Sequence, residues 1–89
     1  MSNKEYATVD LGDGISLDHE DQIFLLSSLA AVRASGAINM FDRLGVAALL
    51  DQIEVPEVAG WLRSKGMRNK YIMFLNRMAA MNFPQGGEQ

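Results

Sequence analysis

Apolar residues recur at helical spacing in four stretches of the chain, and short polar or glycine-bearing breaks separate them. No strand-like alternation is expected to compete with these patterns. The first helix should begin at Ser16 or Asp18, either of which can cap exposed N–H groups, and should run to about Ser35. Asp18, Glu20 and Asp21 complement the positive end of its dipole. Gly36 stands where a left-handed C-cap is favoured, and Asn39 is placed to cap a second helix reaching about Gln52. "SGAIN" is thus a C-cap, a connector and an N-cap. Met40 and Phe41 would open the new helix, Asp42 would meet its free backbone donors, and Ile38 could staple against the Arg43 stem or Leu44.

The third helix is expected from Pro56 to Ser64, with Lys65-Gly66 as its stop and Trp61 and Leu62 in the core. A fourth should run from about Arg68 to Asn82, ended by Phe83-Pro84. On its wheel Tyr71, Ile72, Leu75, Met78 and Ala79 form the buried stripe, and Asn69, Lys70, Met73, Asn76 and Arg77 fall opposite. Phe74 and Met81 lie at the boundary, and for Phe74 core packing is the first expectation, ahead of a place on a contact surface. Residues 1–15 end in "LGDGIS", a turn sequence, and are expected to form a mobile acidic lead with little to bury. The expected architecture is therefore all-α: a compact bundle of about four short helices over residues 16–83, with a flexible lead and a frayed tail at 84–89.

Length and composition agree with this. A chain of 89 residues allows one small domain, and 48% apolar with 21% charged residues is the balance of a globular protein. The first helix is unusual, because Ile23, Phe24, Leu25, Leu26, Leu29 and Val32 spread around most of its wheel. Such a helix is either central in the domain or covered by a second copy, so a homodimer through it is one of two expectations.

The net charge of −3 is unevenly spread. Glu5, Asp10, Asp13, Asp18, Glu20 and Asp21 face only Lys4 in the first 22 residues, whereas Arg63, Lys65, Arg68, Lys70 and Arg77 face only Glu88 from residue 63 onward. The two ends could attract each other within the fold, or the basic end could serve an acidic partner. With no cysteine, no apolar leader and no long apolar run, the expected location is the cytoplasm, with no membrane partner.

The parts of an enzyme are not found. His19 is the only histidine and has no metal-ligand partner at helical spacing; it reads as a surface or capping residue. Ser27 and Ser28 sit mid-helix without a base, and a helix N-terminus accounts for Asp18, Glu20 and Asp21. The glycine pairs at 12/14 and 86/87 match no phosphate loop. No catalytic, cofactor-binding or metal-binding residue is assigned, and no cofactor is expected.

Val32-Arg33, Gly36 and Asn39-Met40-Phe41-Asp42, followed by a second helix and the apolar "VAGWL", resemble an uncharacterised family of small bacteriophage and prophage proteins over residues 29–63. The resemblance implies a compact helical module from a mobile element, with a location in the host cytoplasm and no catalytic residues.

The expected function is then a small non-enzymatic interaction protein that binds a host or viral macromolecule and modulates it sterically. A protein partner would meet the outer side of the fourth helix at Lys70, Met73, Phe74 and Arg77, where cations orient and soft or aromatic groups supply area. Gly36, Asn39, Met40, Phe41 and Asp42 would form the structural corner. The alternative is a nucleic-acid binder, since "GWLRSKGMRNKYIMFL" can be laid on a helix-turn-helix with Gly66 in the turn, Met67, Ile72 and Leu75 inward, and Arg68, Asn69 and Lys70 leading the recognition helix. A pI near 4.9 gives that reading little long-range attraction for phosphate.

Overall fold

The computed structural model describes residues 6–81. Four α-helices carry most of the chain: α1 (His19–Ser35), α2 (Arg43–Gln52), α3 (Pro56–Arg63) and α4 (Tyr71–Ala80). A two-stranded antiparallel hairpin of β1 (Val9–Gly12) and β2 (Ile15–Leu17) precedes them, so the fold is mostly helical but not purely so.

The hairpin corrects the expectation of a mobile lead. Val9 pairs with Leu17 and Asp10 with Ser16, and the ladder is irregular between Asp10 and Gly12. The turn holds Gly12, Asp13 and Gly14 all at positive φ, which two glycines and an aspartate tolerate. Leu11 and Leu17 are fully buried. Each contributes on the order of 1.5–3 kcal/mol of burial, so the segment is part of the core and not an appendage. Residues 1–5, and the expected stop and tail at 82–89, lie outside the described residues.

Asp18 caps α1 through a reciprocal box: its Oδ1 accepts from the Asp21 N–H at 2.8 Å, and Asp21 Oδ2 accepts from the Asp18 N–H. The helix ends at Gly36, whose φ of 66° is the left-handed C-cap expected of it. Between these ends α1 is central. Leu25, Leu26, Leu29 and Val32 are buried within the single chain, and α2, α3, α4 and β2 all pack against the helix. The hairpin supplies cover that the helices alone would not. Phe24, on the outer flank, stays 42% exposed and meets Trp61 edge-on at 6.0 Å. Trp61 is half-buried, while Leu62 is fully buried as expected.

Residues 66–69 form a 3-10 turn (Gly66–Asn69) before α4, which therefore starts at Tyr71 and not at Arg68. The buried stripe of α4 is Tyr71, Phe74, Leu75 and Met78, an i, i+3, i+4, i+7 run laid on α1. Ile72 is 52% exposed and Ala79 is exposed, so the stripe is rotated relative to the expected one. No helix among the described residues is long and apolar enough to cross a membrane.

Candidate functional site: the exposed corner

Residues 36–45 fold into a tight corner between α1 and α2. Beyond Gly36, the Ser35 hydroxyl donates to the Val32 carbonyl and accepts from the Ala37 N–H, closing the helix end. Asn39 does not cap α2. Its Oδ1 accepts from the Phe41 N–H at 2.9 Å and its carbonyl from the Asp42 N–H at 3.0 Å, an Asx-type turn one step earlier in the chain. Met40 and Phe41 lie in that turn and not in the helix. The cap is Asp42, whose Oδ1 accepts from the Gly45 N–H at 3.1 Å. Asp42, expected inside the first turn, is the cap itself, so α2 starts at Arg43, three residues later than the Asn39 cap implied.

Gly45 makes this closure feasible. A Cβ there would overlap Asp42 Oδ2 and come within 2.7 Å of Ile38 Cδ1. Ile38 thus folds over the first turn of α2, against Gly45.

Two long-range bonds fix the corner to the rest of the fold. The Tyr71 hydroxyl of α4 donates to the Met40 carbonyl at 2.6 Å, and the Arg43 guanidinium donates to the Leu62 carbonyl at the end of α3. Tyr71 is nearly fully buried, and its phenol pKa is pushed up to about 12, first by burial and then by the Asp42 charge, with Arg43 opposing. The neutral donor that holds Met40 is therefore kept neutral well above its ordinary range.

On this pinned backbone Phe41 is 72% exposed, the most exposed large apolar side chain among the described residues, and Leu44 beside the helix start is 56% exposed. Gly36, Asn39, Met40, Phe41 and Asp42 are brought together as a corner. Tyr71 and Gly45, which complete it, were not expected there, and Arg43, expected as a staple partner of Ile38, instead bonds the Leu62 carbonyl. Tyr71 lies 31 residues from Met40, and no local pattern announces that bond.

The fourth helix fares differently. Phe74 is fully buried, which corrects its placement on a contact surface. Arg77 donates to Gln22 Oε1 and stacks over the Tyr6 ring at 4.3 Å, and Met73 and Lys70 are half-buried. The set Lys70, Met73, Phe74 and Arg77 does not form one open face. Arg68 and Asn69 are exposed but belong to the 3-10 turn, and Lys70 is the residue before α4, so the three do not lead a recognition helix. Ile72, needed inward by that arrangement, points to solvent. Arg77 touches the N-terminal part through Gln22 and Tyr6, neither of them acidic, and the one ion pair among the described residues, Arg63–Asp51 at 2.6 Å, does not join the acidic first 22 residues to the basic end.

Among the described residues no group of three or more His, Asp or Glu side chains is arranged to hold a metal ion, and every buried side-chain nitrogen or oxygen has a hydrogen-bond partner. The Ser27 and Ser28 hydroxyls donate to the carbonyls of Ile23 and Phe24 on their own helix. Comparison with protein-family models, with curated proteins and with solved structures finds no match to this chain.

Proposed function

We propose that this protein works by contact and not by catalysis: it is a small interaction module whose corner, led by Phe41 and Leu44, docks on a protein partner and modulates it sterically. One observation carries the reading. A large aromatic stands 72% exposed on a turn in which Asn39 holds the Phe41 and Asp42 N–H groups, Asp42 the Gly45 N–H and Tyr71 the Met40 carbonyl. A rigid aromatic anchor loses little entropy on binding, and its burial is worth on the order of 1.5–3 kcal/mol, which is the profile of an interface hot spot. The resemblance of the corner sequence to small phage and prophage proteins supports a mobile-element setting, with a host or viral macromolecule as the target.

The test is a comparison of variants in affinity capture from the organism of origin. Phe41→Ala with Leu44→Ala should lose the partner that the wild-type chain retains, with melting unchanged, whereas Arg68→Ala with Lys70→Ala should retain it. The reverse pattern, with binding to oligonucleotides that weakens steeply with salt, would replace this reading by nucleic-acid recognition.

A further inference from the structure

Residues 6–8, ahead of β1 and outside any regular element, form a strap in which polar contacts tie Tyr6 and Ala7 to α1 and α4. The Tyr6 N–H donates to His19 Nδ1 at 2.7 Å. The Ala7 carbonyl accepts from Gln22 Nε2 at 2.8 Å, and Gln22, fully buried, also donates to the Leu17 carbonyl and accepts from Arg77. The Tyr6 ring lies between two nitrogenous groups, tilted against the His19 ring with centroids 5.4 Å apart and covered by the Arg77 guanidinium at 4.3 Å. Its hydroxyl reaches Met81 Sδ at 3.3 Å.

We propose that this strap is released by protonation of His19. Nδ1 accepts the Tyr6 N–H only while it carries no proton of its own, so the bond exists in the neutral ring with its proton on Nε2. A proton added at Nδ1 turns acceptor into donor. Two N–H groups then face each other at 2.7 Å, and the contact must open.

The surrounding charges act on both sides. Arg77 of α4, across the Tyr6 ring, opposes a second cation, as does the positive end of α1, of which His19 is the first residue. Asp18, Glu20 and Asp21 on the same helix start favour it, although Asp18 and Asp21 are engaged in the capping box. Asp10 of the hairpin is held by the Gly12 N–H. The sign is set by the Tyr6 bond, which has a place for one proton only. Imidazole as a side-chain type ordinarily changes charge between pH 5 and 8, which sets the interval over which the experiment is run. Opening the strap removes Ala7 from Gln22 and Tyr6 from Arg77.

The experiment is amide exchange of Tyr6, Ala7 and Thr8 in the full chain between pH 8 and pH 5, corrected for the intrinsic pH dependence of exchange, with the amides of α1 and α4 as internal controls. The wild type should lose protection at the Tyr6 amide by about fivefold or more, the equilibrium weight of one net hydrogen bond, with the helices unchanged. His19→Asn keeps an acceptor oxygen near the Nδ1 position without titrating and should hold protection at both pH values. His19→Ala should lack protection at both. Equal protection of the wild-type Tyr6 amide at pH 8 and pH 5, or the same loss in His19→Asn, would overturn the proposal.

Discussion

Gly66 lies directly against the backbone of Leu11: a Cβ at residue 66 would overlap the carbonyl oxygen, carbonyl carbon and Cα of Leu11. This is where the hairpin docks on the 3-10 turn. Gly66→Ala must push the two apart, because the obstacle is main chain and has no rotamer to change, and a stability loss of roughly 1–3 kcal/mol is expected. Gly60→Ala is the matched control, since a Cβ there meets nothing and a helix interior gains about 0.5–1 kcal/mol from the exchange. Urea titrations of the two variants should move in opposite directions.

The hairpin is legible in the chain. Val9, Leu11, Ile15 and Leu17 alternate with Asp10 and Ser16 around a glycine-bearing turn, which is the period-2 signature of a hairpin. Counting so few apolar groups as too few to bury hid it, because two of the four, Leu11 and Leu17, are buried to the last square ångström. The ends of α1 are set by local chemistry: of the two caps expected, Ser16 lies in β2 and Asp18 closes the helix start, and Gly36 ends it. The start of α2 is not set by local chemistry alone, because Asn39 and Asp42 offer the same cap. The face of α4 lies rotated from the expected one because α1, against which it packs, covers Tyr71, Phe74, Leu75 and Met78 and leaves Ile72 and Ala79 outward, a tertiary choice that the wheel alone does not make. Phe74 takes the core role, the first of the two expected for it, and its place in a contact surface is lost.

The caps give a second prediction. Asp42→Ala removes the side chain that holds the Gly45 N–H and should cost about 0.5–2 kcal/mol, as N-cap losses do. Asn39→Ala removes a turn bond and should cost less, about 0.5–1 kcal/mol. A thermal melt in which Asn39→Ala is the more damaging of the two would return the cap to Asn39.

Tyr71 gives a pH dependence at the alkaline end. Its pKa is raised in the folded chain to about 12 from an ordinary 10, so the folded state holds the phenolic proton more tightly than the unfolded state. That contribution is fully present below pH 10 and is lost as pH rises toward 12. Tyr71→Phe should flatten this part of the stability curve and, through loss of the Met40 bond, lower stability at neutral pH by about 1 kcal/mol. An unchanged alkaline slope in Tyr71→Phe would mean that another group is responsible.

The two flanks of α1 should separate cleanly. Leu25 is fully buried, and a carboxylate in its place has no partner, so Leu25→Glu should leave the chain unfolded at 25 °C. Phe24 is 42% exposed and should tolerate glutamate with the fold retained, at the loss of its edge contact with Trp61. Circular dichroism decides this, and light scattering across a concentration series shows whether Phe24→Glu also alters the oligomeric state.

Most directly at stake is the claim that the pinned corner, and not the fourth helix, is the surface that meets a partner. A photo-crosslinking phenylalanine analogue placed at Phe41, and separately at Met73 of α4, measures it in the organism of origin. The corner reading predicts a discrete crosslinked protein from position 41 that disappears when Leu44→Ala is added, with no such product from position 73. A discrete product from position 73 with none from position 41 would contradict it and return the contact surface to helix α4.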